Sequence, residues 1–270
     1  MTREAAYWDG VAELWLRERP QVLWRRHSDA VNRALLERWL PAAPRRVLKT
    51  DLFDEAVGEG LYAFLAARAE SVCGVDLARP IVAAAARHPG LEAAVADVRH
   101  LPFADGEFDA VVSNSTLDHF ESLADLRAGL AELARVLSPG GTLVVTLDNP
   151  ANPFVAARGA VPRRLLERLW GRHGALAVRL APSPLGATCG TRRLRSLLAE
   201  AGFEVAETGA VVHCPRALAI AAADLLERHA GRGAQDAFLR ALRALEGLER
   251  LPTRAITGHF VAARAIRRPS

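Results

Sequence analysis

The chain has 270 residues, half of them hydrophobic and about a quarter charged, and a formal net charge of +4. It is long enough for one large domain with a sizeable core, and its composition is that of a soluble globular protein. The positive charge is spread rather than clustered, which favours solvated helix faces over a nucleic-acid surface even at the densest basic stretch, "VPRRLLERLWGRHG".

"MTREAAYWDG" has no apolar core of a leader peptide, and no uncharged apolar run approaches membrane-span length. Val11, Leu14 and Trp15, then Val31, Leu35 and Trp39, recur at helical spacing, so residues 3–40 read as helical. Trp8, Trp15, Trp24 and Trp39 lie here, either packing a lid on a core or lining a ligand pocket. "PAAP" at 41–44 ends the segment. From residue 45 the pattern alternates: strand "RRVLKTDLF", helix "VGEGLYAFLAARA", strand "SVCGVDL", helix "ARPIVAAAARH", strand "LEAAVAD" and strand "EFDAVVSN". Leu123, Leu126, Leu130, Leu133 and Leu137 then mark an amphipathic helix, and "TLVVTL" a fifth strand. Residues 148–190 are punctuated by Pro and Gly around one predicted helix, 162–172. "TRRLRSLLAEAGFEVAETG" reads as a helix with Thr191 as N-cap and Gly202 as stop, followed by a strand. Helices near 215–229 and 235–249 and a last strand in "AITGHFVAARA" complete the chain. Cys73, Cys189 and Cys214 are scattered without CxxC spacing, which disfavours zinc and disulfide scaffolds and fits a reducing cytoplasm.

Alternating strands and helices imply a parallel sheet with ligands at the carboxyl edge of its strands. Asp76 ends the second strand, where a carboxylate either accepts both hydroxyls of a ribose or caps the next helix; Leu77 would flank an adenine. Asp97 ends the third strand, where it either accepts from an exocyclic amine or forms a turn. Val98 would add a backbone N–H, and Phe103 would pack on the ring.

The series "GVDL", "ADVRHLPFADGEFDAVVSNSTLDHF", "LAELARVLSPGGTLVVTLDNP" and "LRSLLAEAGFEV" resembles class I S-adenosylmethionine-dependent methyltransferases over about residues 45–147 and 191–212. The resemblance implies a doubly wound, Rossmann-like α/β sheet of seven strands, mostly parallel with the last antiparallel, plus helical cap elements. It implies S-adenosylmethionine as cofactor and S-adenosylhomocysteine as product. Asp76 would bind the ribose and Asp97 the adenine amine, while Ser113, Asn114 and Ser115 would border the methionine portion. The corresponding division is a helical lid (1–44), a cofactor-binding core (45–147), an insertion over the site (148–190), and a C-terminal part (191–270) with a cap at 213–254.

The departure from the family pattern is "VLKTDLFDEAVGEG", residues 47–60, where a glycine-rich turn is usual. The position after Val47 and Leu48 is Lys49, and the first glycines are Gly58 and Gly60. Lys49 is the single lysine beside 34 arginines, which marks either chance or a place that an Arg fork does not fit. The loop reads as lengthened rather than lost. Asp51 would hold the methionine ammonium and Lys49 its carboxylate, with Gly58 and Gly60 letting backbone approach. Surface charges around a loop, or a pocket without cofactor, are the other readings of this stretch.

For acceptor chemistry, His119, His213 and His27 are the candidate bases or substrate contacts, and Asn149 and Asn152 would shape the acceptor pocket or simply form a loop. The expected reaction is methyl transfer to a small or medium-sized acceptor molecule, with no nucleic acid as partner and a homodimer as one possible assembly. The alternative is a protein of this fold that has lost methyl transfer and catalyses cyclisation or elimination, or only binds. A nicotinamide oxidoreductase is disfavoured because no GxGxxG follows the first strand.

Overall fold

A computed structural model describes residues 3–18, 21–160, 186 and 188–269. Its strands are β1 (Arg46–Lys49), β2 (Ser71–Asp76), β3 (Leu91–Val95), β4 (Phe108–Asn114), β5 (Leu137–Asp148), β6 (Phe203–Val211) and β7 (Phe260–Arg267). They form one sheet in the order β3-β2-β1-β4-β5-β7-β6. Every pairing is parallel except those of β7, which runs antiparallel to both β5 and β6. This is the expected seven-stranded class.

Two apolar clusters cover the two faces, as a doubly wound sheet requires. Val47, Val72, Val112 and Val144 face one cluster. Their chain neighbours Leu48, Cys73, Val111 and Val145 face the other. Chain order reverses between β1 and β4, so the crevice of the fold opens there, at the carboxyl ends of the strands.

The helices are α1 (Arg3–Glu18), α2 (Val22–Trp39), α3 (Phe53–Val57), α4 (Tyr62–Ala66), α5 (Arg79–Ala85), α6 (Leu123–Val136), α7 (Pro153–Gly159), α8 (Thr191–Glu200), α9 (Arg216–His229), α10 (Arg232–Leu245) and α11 (Arg254–Thr257). At the start of α6, Ser122 Oγ accepts the Asp125 N–H at 3.1 Å, and the leucine stripe turns inward. α1 packs on α5, while α2 packs on α9 and α10. No helix of the described residues is long and apolar enough to cross a membrane.

Several boundaries differ from expectation. The helix read over "VGEGLYAFLAARA" is shorter, and a separate helix, α3, occupies 53–57 before it. Gly58 terminates α3 and Gly60 takes a positive φ of 56°, so the chain turns twice where one helix was read. Gly190, not Thr191, is the N-cap of α8. The last strand begins at Phe260, because 254–257 form a helical turn. The predicted helix 162–172 lies outside the described residues.

Candidate functional site

The carboxyl ends of β1–β5 open into a cavity of about 270 Å³, roofed by α1 and α2. Trp8, Val11, Ala12 and Trp15 line it from one face of α1, and Trp24 and Arg25 line it from α2. Trp39 is elsewhere: its indole N–H donates to Glu207 Oε2 at 3.0 Å.

The stretch 50–55 forms the floor below β1. Asp51 Oδ1 accepts the Phe53 N–H at 2.6 Å, which bends the chain into α3. Leu52 lies against β2 so closely that a Cβ at Gly74 would collide with its side chain. Lys49 is not at the pocket wall. It is buried, with its ammonium 2.8 Å from Glu55 Oε2 and donating also to the Asp51 carbonyl. Burial opposes that charge, but the carboxylates of Glu55, Asp51 and Asp54 outweigh it and hold the ammonium above its ordinary pKa. The other Glu55 oxygen accepts the Leu61 N–H at 2.9 Å, so this ion pair fixes the rebuilt loop from beneath. Gly58 and Gly60 are likewise not among the lining residues.

Asp51, Asp76, Leu77, Asp97, Val98, Asn114 and His119 all line the cavity. Asp76 Oδ1 accepts the Ala78 N–H at 2.8 Å and Oδ2 the Leu52 N–H at 3.1 Å, so it joins β2 to the rebuilt loop. Burial, and after it the neighbouring Asp51 carboxylate, raise Asp76 to about 7. Burial also raises Asp51. Asp97 is gripped by Arg99 Nε at 2.9 and 3.0 Å. Arg99 reaches on to Asp125 Oδ1 at 3.1 Å and Glu4 Oε2 at 2.7 Å, joining β3, α6 and α1. Asn114, at the end of β4, has both side-chain amide atoms buried and without hydrogen-bond partners.

Ser113 lies one layer deeper, 3.0 Å from Thr50 Oγ1, which itself lines the cavity. Phe103 packs edge-on against Phe108 at 4.9 Å and does not reach the cavity. His119 sits at the wall, its ring 5.0 Å from that of Trp8. His213 and His27 are buried away from it. His213 Nδ1 is 2.8 Å from Thr257 Oγ1 and Nε2 is 3.0 Å from the Ala210 carbonyl. His27 Nε2 is 3.4 Å from Glu246 Oε1. Asn149 and Asn152 donate to carbonyls of residues 255–258, tying the end of β5 to the start of β7 rather than lining the pocket.

Sequence reading missed the remaining walls. Arg25 pairs with Asp54 and lies 4.4 Å over the Phe53 ring. Asp148, Arg158, Arg216 and Phe260 close the side beyond β4. The rings of α1 and α2 were not missed: Trp8, Trp15 and Trp24 were offered as a pocket lining, and all three line the cavity. The missed residues come from segments far apart in sequence and had no signal.

This set of groups fits S-adenosylmethionine. Two adjacent carboxylates and an unpartnered amide suit a ligand with a cationic end and hydroxyl donors, and Leu77, Ala96 and Val98 offer an apolar slot beside them. Residues 53–145 match the family model described as a methyltransferase domain. The demethylmenaquinone methyltransferase of Thermus thermophilus is 38% identical over 196 residues, which cover 67% of this chain and 81% of that protein. The probable tRNA methyltransferase 9B of Mus musculus is 33% identical over 132 residues, which cover 44% of this chain but only 29% of that protein. Among solved structures, a chain of the Haloferax volcanii complex between the Trm112 methyltransferase activator and a putative methyltransferase aligns with a TM-score of 0.58. The identity is 19%, over 97% of this chain and 99% of that one, a likeness of fold. The fold, the crevice at the carboxyl edge of the sheet and the match along most of the Thermus enzyme agree: the chain belongs to the class I S-adenosylmethionine-dependent methyltransferases and is a methyl-transfer enzyme.

Proposed function

We propose that this enzyme methylates a small, flat acceptor held between the floor at 50–54 and the tryptophans of α1 and α2. The observation that carries the reading is the roofed cavity, in which acidic strand ends and aromatic rings share one space. When bound, the cofactor supplies an electrophilic methyl group. The chain's own work is then to orient, to exclude water and to handle the acceptor's proton. Asp76 would take the ribose hydroxyls, and Asp51 with Asn114 the cationic methionine end. Asp97 would take the adenine amine through lone pairs that Arg99 leaves free. In this assignment Lys49 supports Asp51 from below instead of touching the ligand.

His119 is our assignment for the proton acceptor, because it is the one predicted histidine at the wall. Trp8 at its edge fixes the ring plane. The narrow aromatic roof favours a small molecule over a nucleic acid. The quinone-related substrate named for the Thermus relative fits such a space, and a neutral hydroxyl acceptor would need a base.

Calorimetry with S-adenosylhomocysteine tests the cofactor assignment. Asp51→Ala is expected to weaken binding at least about tenfold, some 1.4 kcal/mol; unchanged affinity would sink it. His119→Gln is expected to lower kcat about 100-fold or more with little change in S-adenosylhomocysteine affinity. A pH–rate profile without inflection between about 5.5 and 8 would remove the histidine base.

A further inference from the structure

Among the described residues, the cavity wall beyond β4 carries more positive charge than its lining carboxylate balances. Asp148, at the end of β5, is ion-paired with Arg158 of α7, and its second oxygen lies 3.3 Å from His259 Nε2. Arg216, the first residue of α9, lines the same wall. Among the described residues it has no hydrogen-bond or ion-pair partner; its neighbour is the Phe260 ring at 6.0 Å. Arg158 also keeps its Nε buried and without a hydrogen bond. Among the described residues that line this wall, two guanidinium groups therefore face one carboxylate, that of Asp148.

The nearby titratable groups do not restore the balance. Burial holds His259 below its ordinary pKa, in its neutral form at pH 7. Burial raises Asp118, which accepts from Ser115 Oγ at 2.8 Å and does not line the cavity. Asp54 is taken by Arg25. Burial pushes Arg216 itself down; the attraction of Asp148, and after it the weaker attraction of Asp118 and Asp54, opposes this, and the like charge of Arg158 adds to it. Arg216 is half-buried, and a cation drawn into the wall without a partner is costly unless a ligand completes it.

We propose that Arg216, with the free Nε of Arg158, forms the anion-recognition point of the acceptor subsite, and that the acceptor is an aromatic molecule bearing a carboxylate. This rests on the methyltransferase reading of the same cavity. The planar guanidinium fork matches a carboxylate with two parallel hydrogen bonds. One unbalanced positive charge suits a monoanion better than a phosphate dianion. Phe260, Phe53 and Trp15 supply flat apolar walls for the ring. The anion point lies across the switch in strand order from Asp76 and Asp97, so the two ligands would enter from opposite sides of β1 and β4.

The test uses naphthoate and its uncharged isostere naphthamide, titrated calorimetrically into protein saturated with S-adenosylhomocysteine. Naphthoate is expected to bind at least about tenfold more tightly than naphthamide. Arg216→Gln should abolish that preference, and Arg216→Lys should keep part of it, with S-adenosylhomocysteine affinity unchanged in both. Equal affinities in the parent protein, a preference surviving in Arg216→Gln, or no naphthoate binding at millimolar concentration would each overturn the proposal. The parent comparison stands even if a variant folds poorly. Failure of S-adenosylhomocysteine to bind the parent brings down the wider reading, whereas its binding without an acid preference brings down this inference alone.

Discussion

Lys49 and Glu55 form a buried ion pair that matters most when one of its members is lost. Removing the ammonium leaves a carboxylate uncompensated among Asp51 and Asp54. Lys49→Met is therefore expected to cost about 3–5 kcal/mol in urea unfolding. Adding Glu55→Gln should recover more than half, because the amide oxygen still accepts the Leu61 N–H. A double variant no more stable than the single one would show that the charge pair is not what holds the turn. The positions of Asp51, Asp76 and Asp97 at the cavity were legible in the sequence, because strand ends in such a sheet converge on one edge. The placement of Lys49 was not, since its partner is presented by a short helix that the sequence read as loop. His213 and His27 were misplaced for a related reason: a histidine after a strand or on a lid helix turns inward or outward according to packing that a single chain does not spell out.

Arg99 is the link between elements. Its guanidinium joins Asp97 after β3, Asp125 in α6 and Glu4 in α1, so one side chain clamps the roof to the sheet. Arg99→Met should loosen α1 without disturbing the strands. Limited proteolysis is expected to cut within residues 3–18 severalfold faster, with little change in the melting of the whole protein. An unchanged cleavage rate would mean that the packing of α1 on α5 and its tryptophans holds the roof without the clamp. Element types were largely readable, because apolar spacing reports the face that each helix buries, as in α6. The break between α3 and α4 was not, because it depends on Gly60 at positive φ meeting the Glu55 carboxylate.

At the scale of the molecule, the cavity is acidic on the β1–β3 side, and ligand binding should feel that charge. Asp76, raised to about 7, has an unfolded-state value of about 3.8, so between these values the folded protein binds a proton there that the unfolded chain lacks. That term stabilises the empty fold at low pH and is lost as pH rises through about 7. Ribose hydroxyls donate to the ionised form of Asp76 better than to the protonated one, so the sign for binding is opposite. S-adenosylhomocysteine affinity should rise from pH 6 to pH 8, and the melting-temperature increase at fixed ligand concentration with it; at about 100 times Kd the stabilisation is about 2.7 kcal/mol. A flat pH dependence would refute the linkage to Asp76, and a rise that persists in Asp76→Asn would assign it to another group. The sheet itself was legible in outline, while the cationic wall was not, because Asp148, Arg158 and Arg216 meet only after the chain has crossed the sheet and returned. The solitary lysine has a practical consequence at this same scale. Its amine is sealed within the native fold, so an acylating reagent reaches that side chain only when the floor of the cavity opens. The rate of Lys49 acylation, read by mass spectrometry, becomes a built-in clock for that opening, and an occupied cavity should slow it.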